Sequence, residues 1–136
     1  NAELSERVRG IIADVRRDGD AALVRLARQL DGAELSDLEV PRERWEKALE
    51  RVDGAVVAAM RRAAENIKSV HEAFRPTAVE TVTDDGVVVG RRPDPLSRVG
   101  VYAPGGRAAY PSSVLMGVVP ARVAGVGEII VCSPPG

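Results

Sequence analysis

The chain has 136 residues, 45% of them hydrophobic and 29% charged, with a formal net charge of −1. That length suits one domain with a core and is short for two. Near-neutral charge, with one Trp, two Tyr and one Phe, gives no footing for nucleic-acid binding through a basic face or base stacking. No apolar run approaches the roughly 20 residues of a membrane span, and the charged opening does not resemble a signal peptide. A single cysteine rules out an internal disulfide and fits a reducing compartment, so the expected location is cytoplasmic.

In chain order, Leu4, Val8, Ile11, Ile12 and Val15 fall on one helical stripe, predicting a helix from Ala2 to Arg17. Asp18-Gly19-Asp20 reads as a stop followed by a new N-cap. A second helix carries Leu23, Val24, Leu26 and Leu30 inward and ends at Asp31-Gly32. Leu38-Glu39-Val40 suggests a short extended piece. Pro41 suits the first position of a third helix running through Trp45 and Leu49 to Val52. Asp53 is the expected cap of a longer fourth helix bearing Val56, Met60, Ala63, Ile67 and Phe74 on one side, ended by Arg75-Pro76.

The texture then changes. Asp84-Asp85-Gly86 between two valine-rich runs, Val79–Thr83 and Val87–Val89, is a hairpin signal. A stiff connector with Pro93 and Pro95 follows. From Val99 onward the only charged residues are Arg107, Arg122 and Glu128, which implies a region covered on both sides. Val99–Tyr102 reads as a strand, Ser112–Gly125 as a helix and Ile129–Cys132 as a second strand. Strand, glycine loop, helix, strand is a βαβ unit with an expected right-handed crossover. The expected parts are therefore a helical segment (1–76), a hairpin with its connector (77–97) and the start of an α/β unit (98–136). A two-stranded parallel sheet is not a stable core, and the chain opens on Asn1 rather than Met. The expectation is a piece of a longer protein.

In such folds ligands gather outside the carboxyl ends of the strands, here the loops Tyr102–Gly106 and Cys132–Pro135. Gly105-Gly106 admits two readings. The pair lets the backbone take positive φ and approach a ligand, with free N–H groups of the next helix close by, or it is only a tight strand-to-helix turn. The spacing is not the GxGxxG dinucleotide fingerprint. Tyr102, at the mouth, can stack on a planar ring and offer its hydroxyl, whereas Tyr110 reads as packing. Pro120 should kink its helix, with Gly117 easing the bend. Cys132 ends an apolar run and reads as a buried packing residue rather than a nucleophile. His71, the only histidine, reads as a surface or capping residue, since zinc asks for about three or four protein ligands.

The stretch VGVYAPGGRAAYPSSVLMGVVPARVAGVGEIIVCSPP, Val99–Pro135, closely resembles histidinol dehydrogenase. Gly19-Asp20-Ala21-Ala22-Leu23, Asn66-Ile67 and His71 agree with it upstream. The resemblance implies a zinc-dependent, NAD-linked oxidoreductase that converts L-histidinol to L-histidine through histidinaldehyde. It also implies a homodimer built on incomplete Rossmann-like α/β domains, while composition and charge already leave out nucleic acid and membrane as expected partners. Tyr102 matches the tyrosine that contacts NAD, and Gly105 and Gly106 match the glycine pair beside it. The family's zinc ligands and proton-transfer residues have no counterpart in these 136 residues, so the resemblance assigns this chain no catalytic or metal residue. It implies a segment that is inactive alone. The other readings are a stand-alone nucleotide- or phosphate-binding module, and a helical interaction domain using residues 2–76.

Overall fold

The computed structural model describes residues 1–105 and 108–135. The chain divides into two compact units, Asn1–Val52 and Asp53–Pro134.

In the first unit, helix α1 spans Ala2–Asp18. Gly19 ends it in a conformation (φ 57°) that favours glycine, and the same residue is the N-cap of α2, Asp20–Leu26. Asp20 is thus the first residue of α2 and not its cap, contrary to the sequence expectation, because the glycine alone makes the reversal. The helix then widens into a π-helical turn, Ala27–Asp31, closed by left-handed Gly32 (φ 67°). Leu38–Val40 forms bends and no strand; among the described residues no strand lies beside it to complete a ladder. Helix α3 spans Arg42–Glu50, and Pro41 precedes it in an extended conformation (ψ 144°) as the N-cap rather than as its first residue. Helices α1 and α2 pack on one another, whereas α3 packs on no other element of its unit among the described residues.

The second unit opens with α4, Gly54–Ala73. Asp53 caps it as the sequence implies: its Oδ1 accepts from the Ala55 N–H at 2.7 Å. Strands β1 (Val79–Val82) and β2 (Val88–Arg91) form the expected antiparallel hairpin, Val82 opposite Val88 and Val79 opposite Arg91. Gly86 supplies the positive φ of its turn. Strand β3 (Arg98–Tyr102), helix α5 (Pro111–Ala124) and strand β4 (Glu128–Cys132) form the βαβ unit. Pro111 occupies the first turn of α5 and left-handed Gly125 closes it. The strands are parallel, with Arg98 opposite Glu128 and Tyr102 opposite Cys132. Helix α5 packs on both strands and on α4. The result is a mixed α and β chain, helices first and small sheets after.

The described residues buried in the core are Ala22, Ala27 and Ala103. No side chain larger than alanine is buried among them, although burying a large apolar side chain is worth about 1.5–3 kcal/mol. Both hairpin strands are exposed along their whole length. Among the described residues, the charge-poor region from Val99 on is therefore not covered as its composition implies, since one face of a two-stranded sheet takes α5 and neither outer edge has a neighbouring strand. No described helix is long and apolar enough to cross a membrane.

Candidate functional site

The carboxyl edge of the parallel pair gathers the expected site residues. Register places Tyr102 directly opposite Cys132. One residue on, the Ala103 N–H donates to the Cys132 carbonyl oxygen at 2.8 Å, and Ala103 is only 5% exposed. That bond extends the ladder one residue past Tyr102 and ties the starts of the two loops together.

Gly105 follows. A β-carbon built on it would stand 3.2 Å from Ser133 Oγ and 3.4 Å from Pro134 Cδ. The loop after β3 thus lies in close contact with the loop after β4, and a side chain at position 105 would crowd it. Gly105 is not in the positive-φ region, which the described chain reserves for Gly19, Gly32, Gly86 and Gly125. The expectation of a left-handed glycine here is corrected for Gly105: its small size serves close approach. Gly106 lies outside the described residues.

Tyr102 is 66% exposed and stands free at the mouth of these loops. Tyr110, 45% exposed, is the residue before α5. Among the described residues no side chain caps that helix, and no acid lies in its first turn, so its amino end carries the partial positive character of a helix N-terminus.

Cys132 departs from expectation. It is exposed, where the apolar run Ile129–Cys132 had suggested burial. Strand β4 pairs on one side only and has no second layer over most of its residues, four of its five being exposed. Exposure alone does not make it a nucleophile, since a reactive thiol also needs a basic partner. Within α5, Gly117 has a role beyond easing a bend: its Cα faces Val101 of β3, next to Tyr102. The sequence places Cys132–Pro135 at the ligand edge but singles out no residue of it; the approach of Gly105 to Ser133 is long-range and leaves no local pattern.

No three His, Cys, Asp or Glu side chains converge to hold a metal ion among the described residues. His71 is exposed near the carboxyl end of α4, far along the chain from Cys132.

Comparison with known proteins gives this edge its context. The family model for histidinol dehydrogenase matches residues 1–136. A histidinol dehydrogenase of Methanosarcina mazei is 47% identical over 135 residues, covering 98% of this chain and 31% of the relative. One from Pseudomonas aeruginosa is 46% identical over 134 residues, 96% of this chain and 30% of the relative. The crystal structure of histidinol dehydrogenase from Elizabethkingia anophelis superposes with a TM-score of 0.90 at 32% identity, covering 97% of this chain and 30% of that one. The chain thus spans about three tenths of the length of these relatives, and over that span both sequence and fold agree. It belongs to the histidinol dehydrogenase family.

Proposed function

We propose that this chain forms one wall of the NAD pocket of a histidinol dehydrogenase that oxidises L-histidinol to L-histidine through histidinaldehyde, using two NAD per turnover. The observation that carries the reading is the carboxyl edge of the parallel pair, with Tyr102 exposed beside a glycine loop that presses on its neighbour. This is the edge at which α/β sheets bind nucleotides. Residues 98–136 would be the start of a Rossmann-like unit, preceded along the chain by the helical segment of residues 1–76 and by the hairpin and connector of residues 77–97.

The fit to NAD rests on this chain's own atoms. Tyr102 would lay its ring against a flat part of the cofactor and offer its hydroxyl to a ribose or phosphate oxygen. Gly105, and with it Gly106, would let the backbone come close. These residues would bind and orient the cofactor, and proton transfer would fall to residues elsewhere in the enzyme. The chemistry drawn from the bound groups in the whole enzyme is hydride acceptance by NAD and polarisation of the substrate alcohol by zinc. Zinc does not fit the described residues, so its ligands would come from elsewhere in the enzyme and no step is assigned to it here. The whole enzyme would act as a cytoplasmic homodimer, on a small molecule and on neither nucleic acid nor membrane.

The test is Tyr102→Ala in a histidinol dehydrogenase carrying this segment. The Michaelis constant for NAD should rise by a factor matching the loss of a stacking platform, about 1–3 kcal/mol, while that for histidinol changes little. Tyr102→Phe should fall between. An unchanged NAD dependence would defeat the reading, and calorimetric binding of simple phosphates in preference to NAD would favour a phosphate-binding module instead.

A further inference from the structure

We propose that Ser133 is a further residue of the cofactor site, its hydroxyl serving a phosphate oxygen of the dinucleotide. The inference rests on the NAD-pocket reading and adds a contact from the second loop.

Three observations converge on it. Pairing of Tyr102 with Cys132 sets Ser133 one step beyond the end of β4, on the edge where Tyr102 stands. The shielded bond from the Ala103 N–H to the Cys132 carbonyl oxygen, 2.8 Å, fixes the take-off points of the two loops relative to each other. And Ser133 Oγ lies so close to Gly105 that a β-carbon there would meet it at 3.2 Å. Whatever the glycine loop admits, the Ser133 hydroxyl is beside it.

The surrounding sequence leaves Ser133 few substitutes. Pro134 and Pro135 follow it, and proline has no N–H to donate while its ring fixes φ. Pro134 also packs against Gly105, so the segment is stiff as well as poor in donors. Ser133 itself is exposed, which leaves its hydroxyl open to a ligand. A neutral hydroxyl both donates and accepts. A hydrogen bond to a charged phosphate is worth more than one between neutral partners. In a loop pair whose only other exposed side-chain hydroxyl before Tyr110 is that of Tyr102, this is a specific contribution.

The experiment uses the complete enzyme and four variants: Ser133→Ala, Ser133→Thr, Tyr102→Ala and the pair Ser133→Ala/Tyr102→Ala. Removing a hydrogen bond to a charged group should raise the Michaelis constant for NAD about tenfold in Ser133→Ala. The constant for histidinol and the turnover number should stay within about twofold, since the residue does not touch the alcohol. Ser133→Thr keeps the hydroxyl and should bring the NAD constant back to within about threefold of wild type. A purely structural serine predicts something else: a lower melting temperature with both Michaelis constants moving together. That result overturns the assignment, as does an unchanged NAD constant in Ser133→Ala. If Tyr102→Ala raises the NAD constant and Ser133→Ala does not, the Ser133 assignment fails while the cofactor reading stands. If neither single variant nor the pair moves it, both fail.

Discussion

Gly117 of α5 meets Val101 of β3 so closely that a β-carbon built on the glycine would stand 2.5 Å from Val101 Cγ1. Valine is branched at Cβ and has little freedom to turn away, so the helix seats directly on the strand that leads into Tyr102. Gly117→Ala should therefore force α5 and β3 apart and cost about 1–3 kcal/mol, as overpacking does. Val101→Ala added to it should recover part of that loss by making room. Denaturant unfolding of the two variants, read by circular dichroism, checks both outcomes. Equal stability of wild type and Gly117→Ala would mean the contact relaxes without cost.

A second expectation concerns the start of α4. Asp53 satisfies the Ala55 N–H with its own carboxylate at 2.7 Å. Asp53→Ala should destabilise the unit by about 1 kcal/mol, the usual cost of an N-cap, and Asp53→Ser should retain most of the stability. Thermal melts of the pair decide it, with loss in alanine but not in serine as the signature.

The exposure of Cys132 has a direct chemical consequence. An uncovered thiol should react with a maleimide or an aromatic disulfide to one equivalent in native buffer. Adding denaturant should accelerate the reaction less than about tenfold, because little protection remains to be removed. Slow labelling that becomes fast only on unfolding would show that other surface covers the carboxyl end of β4 in solution.

Two carboxylates carry a pH signature. The Arg17 guanidinium, assisted by that of Arg25, holds the Asp18 carboxyl below its ordinary value of 3.8, and the Thr83 hydroxyl does the same for Asp85 in the hairpin turn. For a lowered carboxylate the stabilising contribution is present above 3.8 and is lost as pH falls through the lower folded value. Asp85 is exposed and Asp18 half-buried at the surface, so the effect on stability is small, but the titrations are measurable. Carboxyl-carbon NMR should find both midpoints below 3.8, with Arg17→Gln raising that of Asp18 and Thr83→Val raising that of Asp85. Midpoints indifferent to those changes would remove the stated causes.

The largest apolar side chains give a last expectation. Phe74 is 82% exposed, Met116 68% and Ile130 43%. Large apolar side chains exposed to this extent offer surface to hydrophobic dyes and to other copies of the chain. The isolated chain should bind an anilinonaphthalene dye strongly and run larger than a monomer in sedimentation. A monomer that excludes the dye would contradict the exposure of these residues.

Much of this protein could be read from local pattern. Asp53 before an apolar helical stripe, Asp84-Asp85-Gly86 between valine runs, and glycines at helix ends are signals carried by neighbours in sequence, and each produced its element. The strand, glycine loop, helix and strand from Val99 to Cys132 were legible in the same way, and the residues of that stretch pointed to the family. What local pattern lacks is knowledge of what lies across a gap. The alternation at Leu38–Val40 could not disclose that no strand would pair with it, and the apolar run at Ile129–Cys132 could not disclose that β4 has a neighbour on one side only. Gly105 looked like a source of backbone freedom; packing made it instead a point where two loops touch, thirty positions apart along the strands they leave. Burial and approach are properties of the surface brought opposite, and that surface comes from distant chain. So the elements followed from the sequence itself, while the register of Tyr102 with Cys132, the nearness of Ser133 to Gly105 and the exposure of the thiol were decided only when the chain folded.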